Sequence, residues 1–253
     1  MRVTIVNSWC PVEGARGNVV GYLTLQIRNL FIILLIGVTG CSPAPKVLLV
    51  DGTRKFSLDL QGGLLGGDGF TASQNQTIAG LLGGAKFPVP DYLKSLLVDD
   101  YDLVKGDELV PLEPVKVVVA TDLPKFRWKA VPGATFYEVF IRDHRDIVVK
   151  RSGKVAETEW IPKKPLAQAE VFHWRVTAGA GKEAAVSHWA KFAIPGATAF
   201  AEIEASSKMN SHLLSAIAFA RCGAIANADI ELAELEKTAT GADLVQRWRS
   251  QLK

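Results

Sequence analysis

Hydrophobic and polar residues alternate with a period of two between residues 126 and 194, and this is the clearest pattern in the chain. The stretches 136–142 and 172–178 show it best. Their apolar positions are Tyr137, Val139 and Ile141 in the first stretch, and Phe172, Trp174, Val176 and Ala178 in the second. Strands with one apolar and one polar face are what two packed antiparallel sheets require. We therefore expect an antiparallel β-sandwich over residues 114–196.

Shorter patterns before this region predict a small α+β unit over residues 46–113. Asp51-Gly52 is a strong turn pair between two apolar runs, which favours a β-hairpin. Ser73 and Gln76 have the spacing of a capping box and predict the start of a helix, and Pro90-Asp91 predicts a second short helix.

The apolar spacing changes to a helical one after residue 196 and predicts a helical hairpin over residues 197–253. Gly223 is expected to end the first helix and Asn227 to cap the second. The apolar stripes of the two helices comprise Leu213, Leu214, Ile217, Leu232 and Leu235. Together these patterns predict an α+β multi-domain chain.

The hairpin resembles one degenerate tetratricopeptide repeat, on the spacing of Phe219, Gly223, Ala228 and Leu232. One repeat cannot bury a continuous apolar face alone. The five stripe residues are therefore expected to pack on the chain's own sandwich or to bind a partner protein. Partner binding is the favoured alternative.

The aromatic residues of the predicted sandwich follow the order F-x-W, G-A-x-x-Y-x-V-x-I, F-x-W-x-V-x-A and F-x-I. This order resembles the fibronectin type III-like modules of bacterial envelope proteins. Such sandwiches share an architecture without sharing a sequence. The resemblance implies a binding or spacer module, and it carries over no catalytic residue.

An uninterrupted apolar run at residues 30–40 follows Arg28 and ends at Cys41. The run is too short to span a bilayer, which needs about 20 residues, but it suits the apolar core of a signal peptide. Val38-Thr39-Gly40-Cys41 resembles the lipobox of bacterial lipoproteins, which implies cleavage before Cys41 and a lipid on its sulfur. A retained signal-anchor helix is the alternative. Residues 1–40 would then be a signal peptide with an unusually long N-terminal extension, and residues 41–45 a tether.

Charge and cysteine content agree with this assignment. The formal net charge is +3, and loss of residues 1–40, which contain three arginines and one glutamate, would leave +1. A nearly neutral chain without lysine or arginine clusters does not predict nucleic-acid binding. Removal of Cys10 and acylation of Cys41 would leave Cys222 alone, so no intramolecular disulfide is expected.

No motif in the chain predicts a catalytic, metal or cofactor site. The glycines at 62–69 lack the Lys-Ser/Thr pair of a phosphate-binding loop and are expected to form a turn. The run 143–146, Asp-His-Arg-Asp, follows a predicted strand, where such residues favour a turn. Trp189 has the opposite parity to Phe192 and Ile194, so we expect it to lie outside the sandwich core, packed under a neighbouring domain or available to a sugar or partner.

These patterns favour a non-enzymatic envelope lipoprotein that binds or scaffolds other envelope proteins in a membrane-associated assembly. Ser42 after the lipidation site favours the periplasmic face of the outer membrane, by resemblance to enteric lipoproteins. Carbohydrate or peptidoglycan binding through outward aromatic residues is the main alternative. An accessory enzyme domain is a third hypothesis.

Overall fold

The computed structural model describes residues 20–27, 30–37, 45–91, 93, 109–180, 183–238 and 240–252. Within these ranges the fold is a mixed α+β one, with five helices and several sheets whose strand pairs are antiparallel in all but one case. The chain divides into two compact units, residues 1–45 and residues 46–253.

The described residues of the first unit form a β-hairpin. Strands β1 (Val20–Ile27) and β2 (Leu30–Gly37) pair antiparallel, with Ile27 opposite Leu30. The apolar run expected to form a signal-peptide core therefore lies largely in β2, while Val38-Thr39-Gly40-Cys41 falls outside the described residues. None of the helices in the part that the structure describes has the length and apolar character needed to cross a membrane.

The second unit begins with a three-stranded sheet and a helix. Strands β3 (Leu49–Asp51), β4 (Arg54–Leu58) and β5 (Leu64–Leu65) are antiparallel in sequential order. The N-cap of helix α1 (Ala72–Leu82) is Thr71, two residues before the predicted cap at Ser73, because Thr71 and Gln74 form the capping box instead. Thr71 Oγ1 accepts from Gln74 N at 3.2 Å, and Gln74 Oε1 accepts from Thr71 N at 2.8 Å. Most of the second predicted helix lies outside the described residues.

Two further sheets occupy residues 111–194. The three-stranded one has the order β11-β8-β6 and comprises β6 (Pro111–Glu113), β8 (Phe126–Trp128) and β11 (Glu159–Trp160). The strands of the six-stranded one are β7 (Val117–Val118), β9 (Phe136–Arg142), β10 (Val148–Arg151), β12 (Glu170–Ala180), β13 (Glu183–Val186) and β14 (Ala190–Ile194). Their order is β10-β9-β12-β14-β7, and β13 also pairs with β12. The β14–β7 pair is parallel.

Side chains from both sheets share one hydrophobic core. Phe126 and Trp128 of the smaller sheet lie in the same cluster as the alternate apolar residues of β9, β12 and β14. The Phe126 ring centroid is 5.0 Å from that of Trp174 and 5.5 Å from that of Phe192. Trp174 is fully buried, and its Nε1 donates to the carbonyl oxygen of Pro114 at 2.7 Å. The inward parity predicted for β9 and β12 is thus the observed one.

Four helices complete the chain: α2 (Ala197–Lys208), α3 (His212–Cys222), α4 (Ile225–Glu236) and α5 (Ala242–Gln251). Gly223 ends α3 with a φ of 85°, in the left-handed region that favours glycine. Helix α4 begins earlier than a cap at Asn227 predicts, and its N-cap, Ala224, makes no side-chain capping bond.

A second core joins the two ends of this unit. Leu49 of β3, Phe56 of β4 and Ile78 of α1 lie in one cluster with the apolar faces of α3, α4 and α5. Phe87 packs its ring 5.9 Å from that of Trp248 in α5. Residues 49–87 and helices α3 to α5 are therefore held together by one set of buried side chains.

Candidate functional site

The five helical residues expected to be available to a partner are interior residues. Leu213 and Leu232 are fully buried, and Leu214, Ile217 and Leu235 expose at most 3% of their surface. Residues 46–91 of the same chain cover them, through Leu49, Phe56 and Ile78. The stripe residues are thus buried and not exposed as expected. Residues 46–91 cover them, and neither a partner nor the sheets of residues 111–194 do so.

Asp51 strengthens this cover with a polar contact. Its carboxylate is almost fully buried at the turn between β3 and β4, and it accepts from Ser211 Oγ at 2.6 Å. It also accepts from the backbone N–H groups of His212 at 3.1 Å and Leu213 at 3.2 Å, which lie in the first turn of α3. A carboxylate at a helix N-terminus satisfies unpaired donors and interacts favourably with the helix dipole. Asp51 therefore attaches the β3–β4 hairpin to α3.

Trp189, the remaining predicted binding residue, is half-buried next to β14 and lies against two arginines. The Arg142 Cζ atom is 4.0 Å from the ring centroid of Trp189, and the Arg175 Cζ atom is 4.6 Å from it. Guanidinium groups within about 6 Å of an indole centroid make favourable cation–π contacts. The indole thus contacts cations of its own chain and is not a freely presented ring.

These contacts belong to a larger pattern on the outer face of the six-stranded sheet. Arg142, His173 and Lys191 are direct cross-strand neighbours on β9, β12 and β14. The next outward row places Arg151, Phe140 and Arg175 opposite one another on β10, β9 and β12. Within that row the guanidinium carbons of Arg151 and Arg175 are 5.2 Å and 5.9 Å from the Phe140 ring centroid.

We name the set Arg142, Arg151, Arg175, Phe140 and Trp189 the arginine–aromatic face. Cations directly opposite one another in a sheet repel and destabilise it. Here aromatic rings lie between or beside the guanidinium groups and offset part of that repulsion. Arg175 Nε is buried without a hydrogen-bond partner among the described residues, while its guanidinium carbon lies near the Phe140 and Trp189 rings.

Acidic residues near this face are paired, and one of them, Asp146, is paired with a member of the face. Asp146 forms a salt bridge with Arg142 at 3.1 Å, and Glu170 contacts His144 Nδ1. Asp143 accepts from the backbone N–H groups of Arg145 at 2.9 Å and Ile147 at 3.0 Å. Burial raises the pKa of Asp143, but hydrogen bonds from Ile147 and Arg145 outweigh it and leave that pKa below its usual value. The ionised Asp143 carboxylate therefore fixes the turn between β9 and β10.

The chemistry that this face offers is anion binding. Guanidinium groups bind carboxylates with directional, charge-assisted hydrogen bonds. The part of the chain that the structure describes holds no group of three or more His, Cys, Asp or Glu side chains placed to bind a metal ion. Cys222 is buried at the end of α3, and burial raises the pKa of its thiol, which disfavours the reactive thiolate.

The face was only partly visible in the sequence. Period-two parity places Phe140, Arg142 and Arg175 on polar outer positions, which is where they lie. Their proximity depends on the pairing register of β9, β10 and β12, which parity does not give. The local signal is the alternation of arginine with aromatic residues at outward positions. Cys41, the predicted lipidation residue, lies outside the described ranges.

No protein-family model matches the chain, and no curated protein matches it.

Proposed function

We propose that this protein is a non-enzymatic envelope lipoprotein, anchored through a lipid on Cys41, whose sandwich binds or scaffolds other envelope proteins. The sandwich is of the fibronectin type III-like kind. The strand orders support this: β6 belongs to the smaller sheet, and the next strand, β7, pairs in parallel with β14 of the larger one. Aromatic side chains of both sheets form its core.

The observation that carries the binding role is the arginine–aromatic face. Helices α3 and α4 have their apolar stripes covered by the chain itself, so they offer no open apolar surface at those residues. The six-stranded sheet presents cations next to rings on its outer side. Arginine and aromatic residues are enriched in protein–protein interfaces and among their energetic hot spots.

Carbohydrate or peptidoglycan binding is the second candidate, because Phe140 and Trp189 lie on the outer side of the sheet. The guanidinium groups over the Trp189 ring weigh against a sugar-stacking platform at that residue. A glycan array with wild type and Trp189→Ala separates the two candidates. Glycan binding that the substitution removes would favour the second one.

The anchor is tested by the intact mass of the protein in the membrane fraction of its source cells. We expect an acylated chain that begins at Cys41. An unmodified chain beginning at Met1 would end the lipoprotein proposal.

Binding is tested by co-purification in mild detergent followed by mass spectrometry. Arg151→Glu reverses one exposed charge on the arginine–aromatic face, and Lys163→Glu reverses one exposed charge on the loop after β11. We expect a partner that wild type and Lys163→Glu retain and Arg151→Glu loses. Equal recovery with both variants would place binding elsewhere on the molecule.

A further inference from the structure

The strand β10 combines an open sheet edge with exposed apolar residues. It is the terminal strand of its sheet, and among the described strands it pairs with β9 alone. Ile147, Val148 and Val149 expose 54%, 42% and 41% of their surface. Three consecutive exposed apolar residues at a sheet edge are unfavourable in water. Lys150, Arg151 and the bulge between Val148 and Lys150 hinder non-selective pairing of this short strand, so a partner has to complement its charges.

The hairpin that presents this edge is held in place at both ends. Asp143 and its hydrogen bonds to residues 145 and 147 fix the turn before β10. After β10, Ser152 N donates to the Val139 carbonyl oxygen at 3.0 Å, and Ser152 Oγ accepts from Val139 N at 2.9 Å. An edge fixed in this way loses little conformational freedom when a further strand binds.

The charges beside the edge select the occupant. Val148 lies opposite Arg142, and Arg151 lies opposite Phe140, so both β10 residues belong to the outer rows of the sheet. A strand added beside β10 would therefore place side chains next to a valine and an arginine on that face. Arg175 lies two strands further in, on β12, and adds positive charge to the same row. Glu138 is the outward acid on β9, and it lies in the next row beside Thr177.

A second copy of this chain fits the edge less well. Antiparallel pairing of β10 with itself, in a register centred on residues 150 and 151, would bring Lys150 and Arg151 of one copy close to the same residues of the other. Like charges at that spacing destabilise strand pairing. The charge pattern instead matches a partner whose outward side chains are acidic.

We infer that the β10 edge binds an extended segment of a partner protein by strand addition, with acidic and apolar residues alternating in that segment. Main-chain hydrogen bonds would give affinity, and the row of Arg151 and Arg175 would give selectivity for acidic side chains. The inference rests on the proposed function and specifies the chemical class of its partner.

The test uses the full-length protein in mild detergent and fluorescently labelled peptides of equal length. One peptide alternates glutamate with valine, a second alternates lysine with valine, and a third is the glutamate peptide with N-methylated valines. We expect fluorescence anisotropy to show binding of the glutamate peptide and little binding of the other two. N-methylation keeps the charge but removes main-chain donors, so it separates strand addition from simple charge attraction.

Two protein variants complete the test. Arg151→Glu should weaken binding of the glutamate peptide about tenfold, since an attraction becomes a repulsion, and should strengthen binding of the lysine peptide. Lys163→Glu should change neither. Equal binding of the glutamate and lysine peptides, equal binding of the N-methylated peptide, or no effect of Arg151→Glu would each overturn the inference. A chain dimer that Arg151→Glu alters would also overturn it, by identifying a second copy as the occupant.

Failure of this inference is distinguishable from failure of the proposed function. If the peptides fail to bind while a native partner still co-purifies with wild type, strand addition is excluded and the scaffolding role remains. If Cys41 is unmodified and no partner co-purifies, the proposed function fails whatever the peptides do.

Discussion

Single buried polar atoms decide how parts of this molecule are joined. The Asp51 carboxylate accepts hydrogen bonds from three donors at the start of α3. Trp174 Nε1 of the six-stranded sheet donates to the carbonyl oxygen of Pro114. A buried polar group without its partner costs more than the hydrogen bond itself contributes. Substitutions at these residues should therefore affect more than their immediate surroundings.

Asp51→Ala should lower the free energy of unfolding by about 2–3 kcal/mol, because Ser211 Oγ and two backbone N–H groups lose a charged acceptor. Asp59 is a natural control, since its carboxylate accepts from the N–H groups of Gln61 and Gly63 in an exposed turn. Asp59→Ala should cost less than about 1 kcal/mol. Urea unfolding followed by circular dichroism measures both values, and similar losses would contradict the role assigned to Asp51.

Trp174→Ala should cost about 3–5 kcal/mol, since it removes a fully buried ring between two sheets. His173→Ala, one residue away on the outer side, should change stability by within about 0.5 kcal/mol. Denaturant midpoints give the comparison. Equal midpoints would show that the inward and outward sides of β12 are not energetically distinct.

The sequence predicts which strand residues point inward, but it does not predict the strand register or the exact start of a helix. Parity identified the inward residues of β9 and β12, because burial in a sheet repeats every two residues. The same pattern places Phe140, Arg142 and Arg175 on outward positions but does not predict that they lie together, since contacts between strands depend on register and on the bulge in β10. The helix starts differed for a local reason: Thr71 and Ser73 each begin a capping pattern, and only the first pairs with its glutamine. Propensity alone does not choose between such overlapping signals.

The arginine–aromatic face predicts a measurable coupling between Arg175 and Trp189. In a double-mutant cycle with Arg175→Met and Trp189→Leu, we expect a coupling free energy of about 0.5–2 kcal/mol, because the guanidinium lies over a half-buried indole. Methionine keeps most of the apolar contact of the arginine stem and removes its charge. Thermal or urea unfolding of the four proteins supplies the data. Additive effects would mean that the contact contributes no stability.

At the scale of the whole second unit, the two largest hydrophobic clusters differ in how far apart their residues lie along the chain. The core shared by the two sheets of residues 111–194 is built from residues near one another in sequence, so the alternating pattern could predict it. The other core combines residues 49–87 with residues 213–248, and no local pattern links segments so far apart. The apolar stripes of α3 and α4 correctly indicate burial against something. Tertiary packing decides which segment covers these stripes, so the stripes alone do not predict that β3, β4 and α1 do so.

The core that combines residues 49–87 with residues 213–248 allows a test of how α3 and α4 are covered. Leu214→Glu with Leu232→Glu places two carboxylates among Phe56, Ile78 and Val245, where neither finds water. Each should cost about 4 kcal/mol or more, through the lost apolar contact and the burial of a charge. Ile230→Glu on α4 is the matched control, because Ile230 exposes 61% of its surface and the same change there leaves the core intact. Differential scanning calorimetry should show a large fall in Tm for the double variant and almost none for the control. A double variant that melted like wild type would mean that α3 and α4 do not depend on residues 46–91, and the stripe would again be a candidate surface for a partner protein.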